Sequence, residues 1–146
     1  MKDARFLWEL RTDPVTQVNS FHAGVIPWES HLAWFASKLA NDSTRIYIAE
    51  SEDNTAIGQI RIERQTPEIA MVSLAVALAA RGRGYGKAML TKAIEQAQKD
   101  LNVQQFNAFV KPDNEPSLRL FGACGFRFQE EFMMDDVPSV KLIYRS

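Results

Sequence analysis

Residues 80–90 read ARGRGYGKAML, with glycine at 82, 84 and 86, cations at 81, 83 and 87, and helix-forming residues straight after. A glycine inside a helix costs about 0.5–1 kcal/mol relative to alanine, so three spaced this closely do not belong to a helix interior. The run before them, EIAMVSLAVA (68–77), is almost uniformly apolar, as in a central strand covered on both faces. The run after them (87–100) places Met89, Leu90, Ala93, Ile94 and Ala97 on one helical face. A buried strand, a glycine turn and an amphipathic helix in that order commit the chain to layered, mixed α and β structure.

The turn also has an electrostatic meaning. A helix N-terminus leaves about four backbone N–H groups unpaired, and its dipole puts partial positive charge there. Glycines let a ligand approach that backbone, and Arg81, Arg83 and Lys87 add full charges. The combination is a cradle for a phosphate or pyrophosphate. It is not a P-loop, because Gly86-Lys87 is followed by Ala88 and no glycine stands at 81. It is not the dinucleotide fingerprint either, because the third glycine arrives one residue early. What it does satisfy is Arg81-x-x-Gly84-x-Gly86.

The remaining segments give the frame. Helices are predicted over 3–11, over 27–40 with Pro27 at the start and Leu32, Phe35 and Leu39 inward, and over 114–126, closing at Gly125. Strands are predicted over 45–50, 54–64 and 104–110, with an antiparallel pair from FRFQEEFMM and SVKLIYR at the end. With 146 residues, 46% apolar, 24% charged and a net charge of −1, the chain reads as one domain over 1–146 with no composition favouring nucleic-acid or membrane binding. Cys124 is the single cysteine, so no internal disulfide and no cysteine metal cluster is expected. MKDARFLWEL lacks a signal-peptide core and no run is long enough to span a bilayer, so a reduced, cytoplasmic setting is expected.

The segment VSLAVALAARGRGYGKAMLTKAI, followed by VKPDNEPSLRLFGACGFRFQEE, resembles the Gcn5-related N-acetyltransferase superfamily. The matching positions of the second motif are Asn114, Ser117, Leu120, Phe121, Gly125 and Phe126. The resemblance implies an α/β fold with a mixed, mostly antiparallel sheet flanked by helices, and acetyl-coenzyme A as cosubstrate without a metal. It implies a pyrophosphate on the turn formed by Arg81, Gly82, Arg83, Gly84, Tyr85, Gly86 and Lys87. It places the pantetheine arm along Leu74, Ala75 and Val76, where this strand splays from the next, with Asn114, Ser117 and Phe121 beside it. An amine would attack the thioester and coenzyme A would leave as a thiolate. Many members carry a tyrosine general acid seven residues after the motif asparagine; Phe121 stands there, so Tyr85, Tyr144, water or unassisted departure would replace it. Glu68 is the first candidate general base, with Glu63 and Ser73 behind it, and His22 and His31 are noted because histidine titrates near neutrality.

The opening segment also resembles a subgroup that acetylates amino sugars carried on nucleoside diphosphates for surface polysaccharides. Trp8, Arg11, Asp13-Pro14 and the pair His31 and Phe35 carry that likeness, with Arg11 and His31 expected at the diphosphate and the tryptophans available for stacking. Two other readings are open: acetylation of ribosomal-protein N-termini, and a non-catalytic acetyl-coenzyme A sensor, for which Phe121 speaks. Family members begin with a strand, whereas only about four residues precede the first helix here; three alternatives are open, that the strand is missing, that a partner in a homodimer supplies it to the exposed edge, or that the chain is a domain of a longer protein.

Overall fold

The computed structural model describes residues 3–12, 26–50, 55–76, 85–134 and 136–145, with backbone only at 11, 12, 76 and 134. Among them the order is α1 (Ala4–Thr12), α2 (Trp28–Ala40), β1 (Thr44–Glu50), β2 (Ala56–Arg64), β3 (Ile69–Val76), α3 (Tyr85–Leu101), β4 (Gln105–Val110), α4 (Glu115–Ala123), β5 (Arg127–Met134) and β6 (Val137–Arg145). Six strands form one sheet in the order β1-β2-β3-β4-β6-β5. Every neighbouring pair is antiparallel except β3 and β4. A parallel pair needs a long crossover, which α3 supplies. Both expected features, the mixed mostly antiparallel sheet and the flanking helices, are present.

Alternation along the strands builds two cores. One face presents Ile60, Ile62, Ala70, Val72, Phe106 and Ala108 to the apolar stripe of α3. Met89, Leu90, Ala93, Ile94 and Ala97 are buried there, as the helical spacing predicts, and Leu101 extends the stripe. The other face carries Ile46, Ile48 and Ala75 under a second cluster made by Ala4, Leu7, Leu10 and Phe35 of α1 and α2. Asn102, at φ 54°, ends α3, and Gly125, at φ 94°, turns the chain out of α4.

One expected face is corrected. Leu39 is 55% exposed, and His31 instead shares the inward stripe with Phe35. A histidine at that position reads as polar in a sequence, but here its ring nitrogen has a backbone partner and can be buried. Residues 51–54, between β1 and β2, lie outside the described residues, and the two strands pair antiparallel.

Tyr47 of β1 ties the sheet to α3 by donating to Asp100 Oδ2 at 2.9 Å. Burial, and then the bond to and charge of Asp100, raise its pKa above the usual phenol value. The folded chain therefore keeps this proton to higher pH than the unfolded chain does. The stabilisation is complete below about pH 10 and is lost as pH climbs from there through the folded value. Thermal melts between pH 9 and 11 are expected to show a steeper fall in Tm for the natural chain than for Tyr47→Phe.

Candidate active site

The sheet opens between its two parallel strands. Ladder pairing joins Ile69, Ala70 and Met71 of β3 to Gln105, Phe106 and Asn107 of β4, and no further pair is formed among the described residues. Yet β3 continues to Val76 and β4 to Val110. Beyond Met71, β3 keeps its partner on the β2 side, where Val76 still faces Gly58, but has none on the β4 side. The result is a gap whose β3 wall carries unpaired main-chain N–H and C=O groups, an edge that an extended, amide-bearing chain can join.

The same end of the molecule receives the start of α3. Tyr85 and Gly86 open that helix, partly buried, and Lys87 is exposed beside them. A Cβ on Gly86 would lie 3.0 Å and 3.3 Å from the two terminal methyls of Leu120, so the third glycine of the motif lets α3 and α4 approach closely. Asn114 caps α4: its side chain accepts from the Ser117 N–H at 3.4 Å, which is the helix-capping role of such a residue. Leu74 and Ala75 are half-buried at the gap, packed toward the α3 cluster and the α1–α2 cluster respectively. Arg81, Gly82, Arg83, Gly84 and His22, and the side chains of Val76 and Arg11, lie outside the described residues. Residues with the backbone opening, the third glycine and both helix starts are thus brought together, on strands and helices rather than on one loop.

Four of the expected residues take definite positions. Glu68 lies just ahead of β3, and its carbonyl accepts from the N–H groups of Gln104 and Gln105. The parallel ladder ends at Met71, so Glu68 sits three residues, roughly 10 Å, before the point where the gap opens. Tyr144 is on the paired side as well, opposite Phe106 in the ladder and 5.5 Å from the Phe126 ring. Glu63 is committed to Lys38 at 2.9 Å and to Arg61 at 2.6 Å. Phe121 is 4% exposed and meets Phe126 edge-to-face at 4.9 Å, inside the α3-side core. Its phenyl ring offers no proton. Phe121→Tyr is accordingly expected to lower stability by about 1–3 kcal/mol, because a hydroxyl must be accommodated in a filled core, and to leave kcat no higher. Denaturant melts and steady-state rates check both halves of that statement.

His31 lies between α1 and α2. It is fully buried, with Nε2 donating to the Ala4 carbonyl at 2.6 Å. Its ring stacks on Trp28, Trp34 and Phe35 at centroid distances of 5.8, 5.6 and 6.3 Å. A side chain so enclosed joins α1 to α2. The tryptophans are engaged as well: Trp8 donates to the Ile26 carbonyl at 2.8 Å, and Arg61 lies 5.2 Å over the Trp34 ring. Among the described residues there is no group of three or more His, Cys, Asp or Glu placed to hold a metal ion.

Comparison with known proteins agrees with this architecture. The family model for the acetyltransferase (GNAT) domain matches residues 1–127. The chain belongs to the GNAT acetyltransferase family. Among curated proteins, the provisional phosphinothricin acetyltransferase YwnH of Bacillus subtilis is 31% identical over 103 residues, which are 67% of this chain and 61% of that relative's length. Among solved structures, the Vibrio cholerae spermidine N-acetyltransferase, in complex with CoA and spermine, superposes with a TM-score of 0.90 over 99% of this chain and 90% of its own, at 14% identity. The aminoglycoside acetyltransferase AAC(6')-Ib, in complex with coenzyme A, gives 0.83 over 99% and 90%, at 20% identity. At these identities the structural likeness shows the GNAT fold. No helix among the described residues of this GNAT domain is long and apolar enough to cross a membrane.

Sequence reading passed over one residue that shapes the site. Gly58 sits mid-strand in β2, opposite Val76, where its missing side chain leaves room for Met89 and the Ala75 carbonyl. The signal was present: an isolated glycine inside an alternating strand marks a close approach of other backbone.

Proposed function

We propose that this GNAT domain transfers an acetyl group from acetyl-coenzyme A to the primary amine of a small molecule. The observation that carries the reading is the parting of β3 from β4 at the end where α3 begins. The residues present fit the cosubstrate: an unpaired β3 edge at Leu74, Ala75 and Val76 for the amides of the pantetheine arm, and the glycines and cations of 81–87, with the start of α3, for the pyrophosphate. The thioester supplies the activated acyl group. The main-chain N–H groups at the gap are placed to polarise its carbonyl.

In the transfer, the amine nitrogen bonds to the acyl carbon, the carbon–sulfur bond breaks, and the amine's proton passes to water. Glu63 is held in ion pairs, and Glu68 sits roughly 10 Å before the point where the gap opens. Of the three tyrosines, Tyr47 is bonded to Asp100 and Tyr144 lies at the opposite end, so Tyr85 is the one at the site. A thiol with an ordinary pKa of about 8.5 also leaves tolerably without a protein acid.

The nucleotide-linked amino sugar expected from the N-terminal likeness now rests on Arg11, since His31 is enclosed between α1 and α2. The relatives' names widen the acceptor panel to polyamines, aminoglycosides and phosphinothricin. The test is release of free coenzyme A thiol from acetyl-coenzyme A with those amines, nucleotide-linked amino sugars and peptides with free N-termini. Turnover with a small amine is the expected result. Turnover with peptides alone, or acetyl-coenzyme A binding with no turnover on any amine, would overturn the small-molecule reading.

A further inference from the structure

One row of the sheet brings charge to the place where the gap begins. Ile46 of β1, Arg61 of β2 and Ser73 of β3 face one another across the ladders. Ser73 lies two residues beyond Met71, the last residue of β3 paired to β4, so it stands on the wall of the gap. Arg61 is one strand away, about 5 Å. Directly paired residues turn to the same face. That face is the α1–α2 side, because Ile46 and Ala75 pack into the α1–α2 cluster and the Arg61 guanidinium lies 5.2 Å over the Trp34 ring of α2. The opposite face is filled, since Val72 and Leu74 pack into the α3-side core. With a pyrophosphate at the start of α3 and a pantetheine arm along Val76, Ala75 and Leu74, the thioester end comes level with this row.

Two features of the row point to an anion. Two cations, Lys38 and Arg61, share one carboxylate, Glu63, at 2.9 and 2.6 Å, so the half-buried cluster keeps a surplus positive charge. The Arg61–Glu63 contact is also out of line for a hydrogen bond, which leaves Arg61 Nε buried and unpartnered among the described residues. Buried donors nearly always have a partner. The stacked Trp34 ring and the Glu63 carboxylate hold the guanidinium in one direction, so little ordering is left to be done when a ligand arrives. The half-buried Ser73 hydroxyl is a second donor beside it.

We propose that Arg61, with Ser73 beside it, is a specificity-determining residue: it holds an anionic group of the acceptor while the reacting amine of the same molecule reaches the thioester. The proposal rests on the acetyl-transfer reading. A guanidinium fork takes a carboxylate or a phosphate through two parallel hydrogen bonds, and the Ser73 hydroxyl donates to either. An acceptor that carries only positive charge is opposed by the surplus charge of Lys38 and Arg61.

The test uses the full chain, labelled with nitrogen-15, and follows the Arg61 side-chain Nε–H signal with and without saturating coenzyme A. The probes are 4-aminobutanoate, 3-aminopropylphosphonate and 1-aminopentane. Both anionic amines are expected to shift that signal and 1-aminopentane is not; the tighter of the two names the anion as a carboxylate or a phosphate-like group. Arg61→Gln should weaken the anionic amines at least tenfold relative to 1-aminopentane, and Arg61→Lys, which keeps the charge without the fork, should recover part of the loss. A merely structural Arg61 would weaken all three probes alike. That uniform loss, equal binding of 1-aminopentane to the natural chain, or anion shifts that miss Arg61 and Ser73 would each overturn the proposal. Coenzyme A separates the two layers. Its binding with an Arg61 signal that neither anion moves overturns the anion site alone. Failure of coenzyme A to bind overturns the transfer reading, and with it the assignment of the Arg61 anion to an acceptor, even where the anions bind.

Discussion

Gly58→Ala is expected to lower Tm by roughly 5–10 °C and to weaken acetyl-coenzyme A binding at least tenfold, by about 1.4 kcal/mol or more. The added Cβ would sit against the terminal methyl of Met89 and 2.8 Å from the Ala75 carbonyl oxygen. The methionine can swing aside at small cost, because its end is flexible. The carbonyl cannot, because it belongs to the backbone of β3. Relief therefore has to come from opening the β2–β3 ladder where Gly58 pairs with Val76. Overpacking of this kind costs about 1–3 kcal/mol, and here the strain falls on the stretch of β3 that walls the gap. Melting curves and calorimetric titration measure the two effects separately. A lowered Tm with unchanged affinity would show that this end of β3 does not hold the cosubstrate.

His31→Ala is expected to cost about 3 kcal/mol of stability and, in the protein that remains folded, to leave the KM for every acceptor unchanged. The substitution removes a ring packed among three aromatic side chains and deletes the bond to the Ala4 carbonyl. His31→Gln keeps a donor and should recover part of the loss. Chemical denaturation gives the first quantity, and steady-state kinetics well below the melting range give the second. A selective rise in KM for nucleotide-linked sugars would return His31 to the acceptor site against its burial.

The same residue shows where sequence reasoning reaches its limit. Period-3.6 spacing located α2, but the inward stripe could not be read without knowing that the Ala4 carbonyl was available to His31. Leu39 was assigned inward by hydropathy alone and lies exposed. α3 was legible because its apolar stripe and its sheet partners are all aliphatic, so pattern and burial coincide. Glu68 is legible as the residue just ahead of β3, whereas the point at which β3 parts from β4 follows from a pairing between residues 69–71 and 105–107 that no local pattern encodes.

The central claim is that the unpaired edge of β3 and the start of α3 receive acetyl-coenzyme A. Amide hydrogen exchange with and without acetyl-coenzyme A tests it residue by residue. The account predicts slowed exchange at Leu74, Ala75 and Val76 and across 81–87, with no change at Gln104, Gln105 and Arg145 at the opposite end of the sheet. Protection confined to that opposite end, or none at β3 under saturating acetyl-coenzyme A, would contradict it.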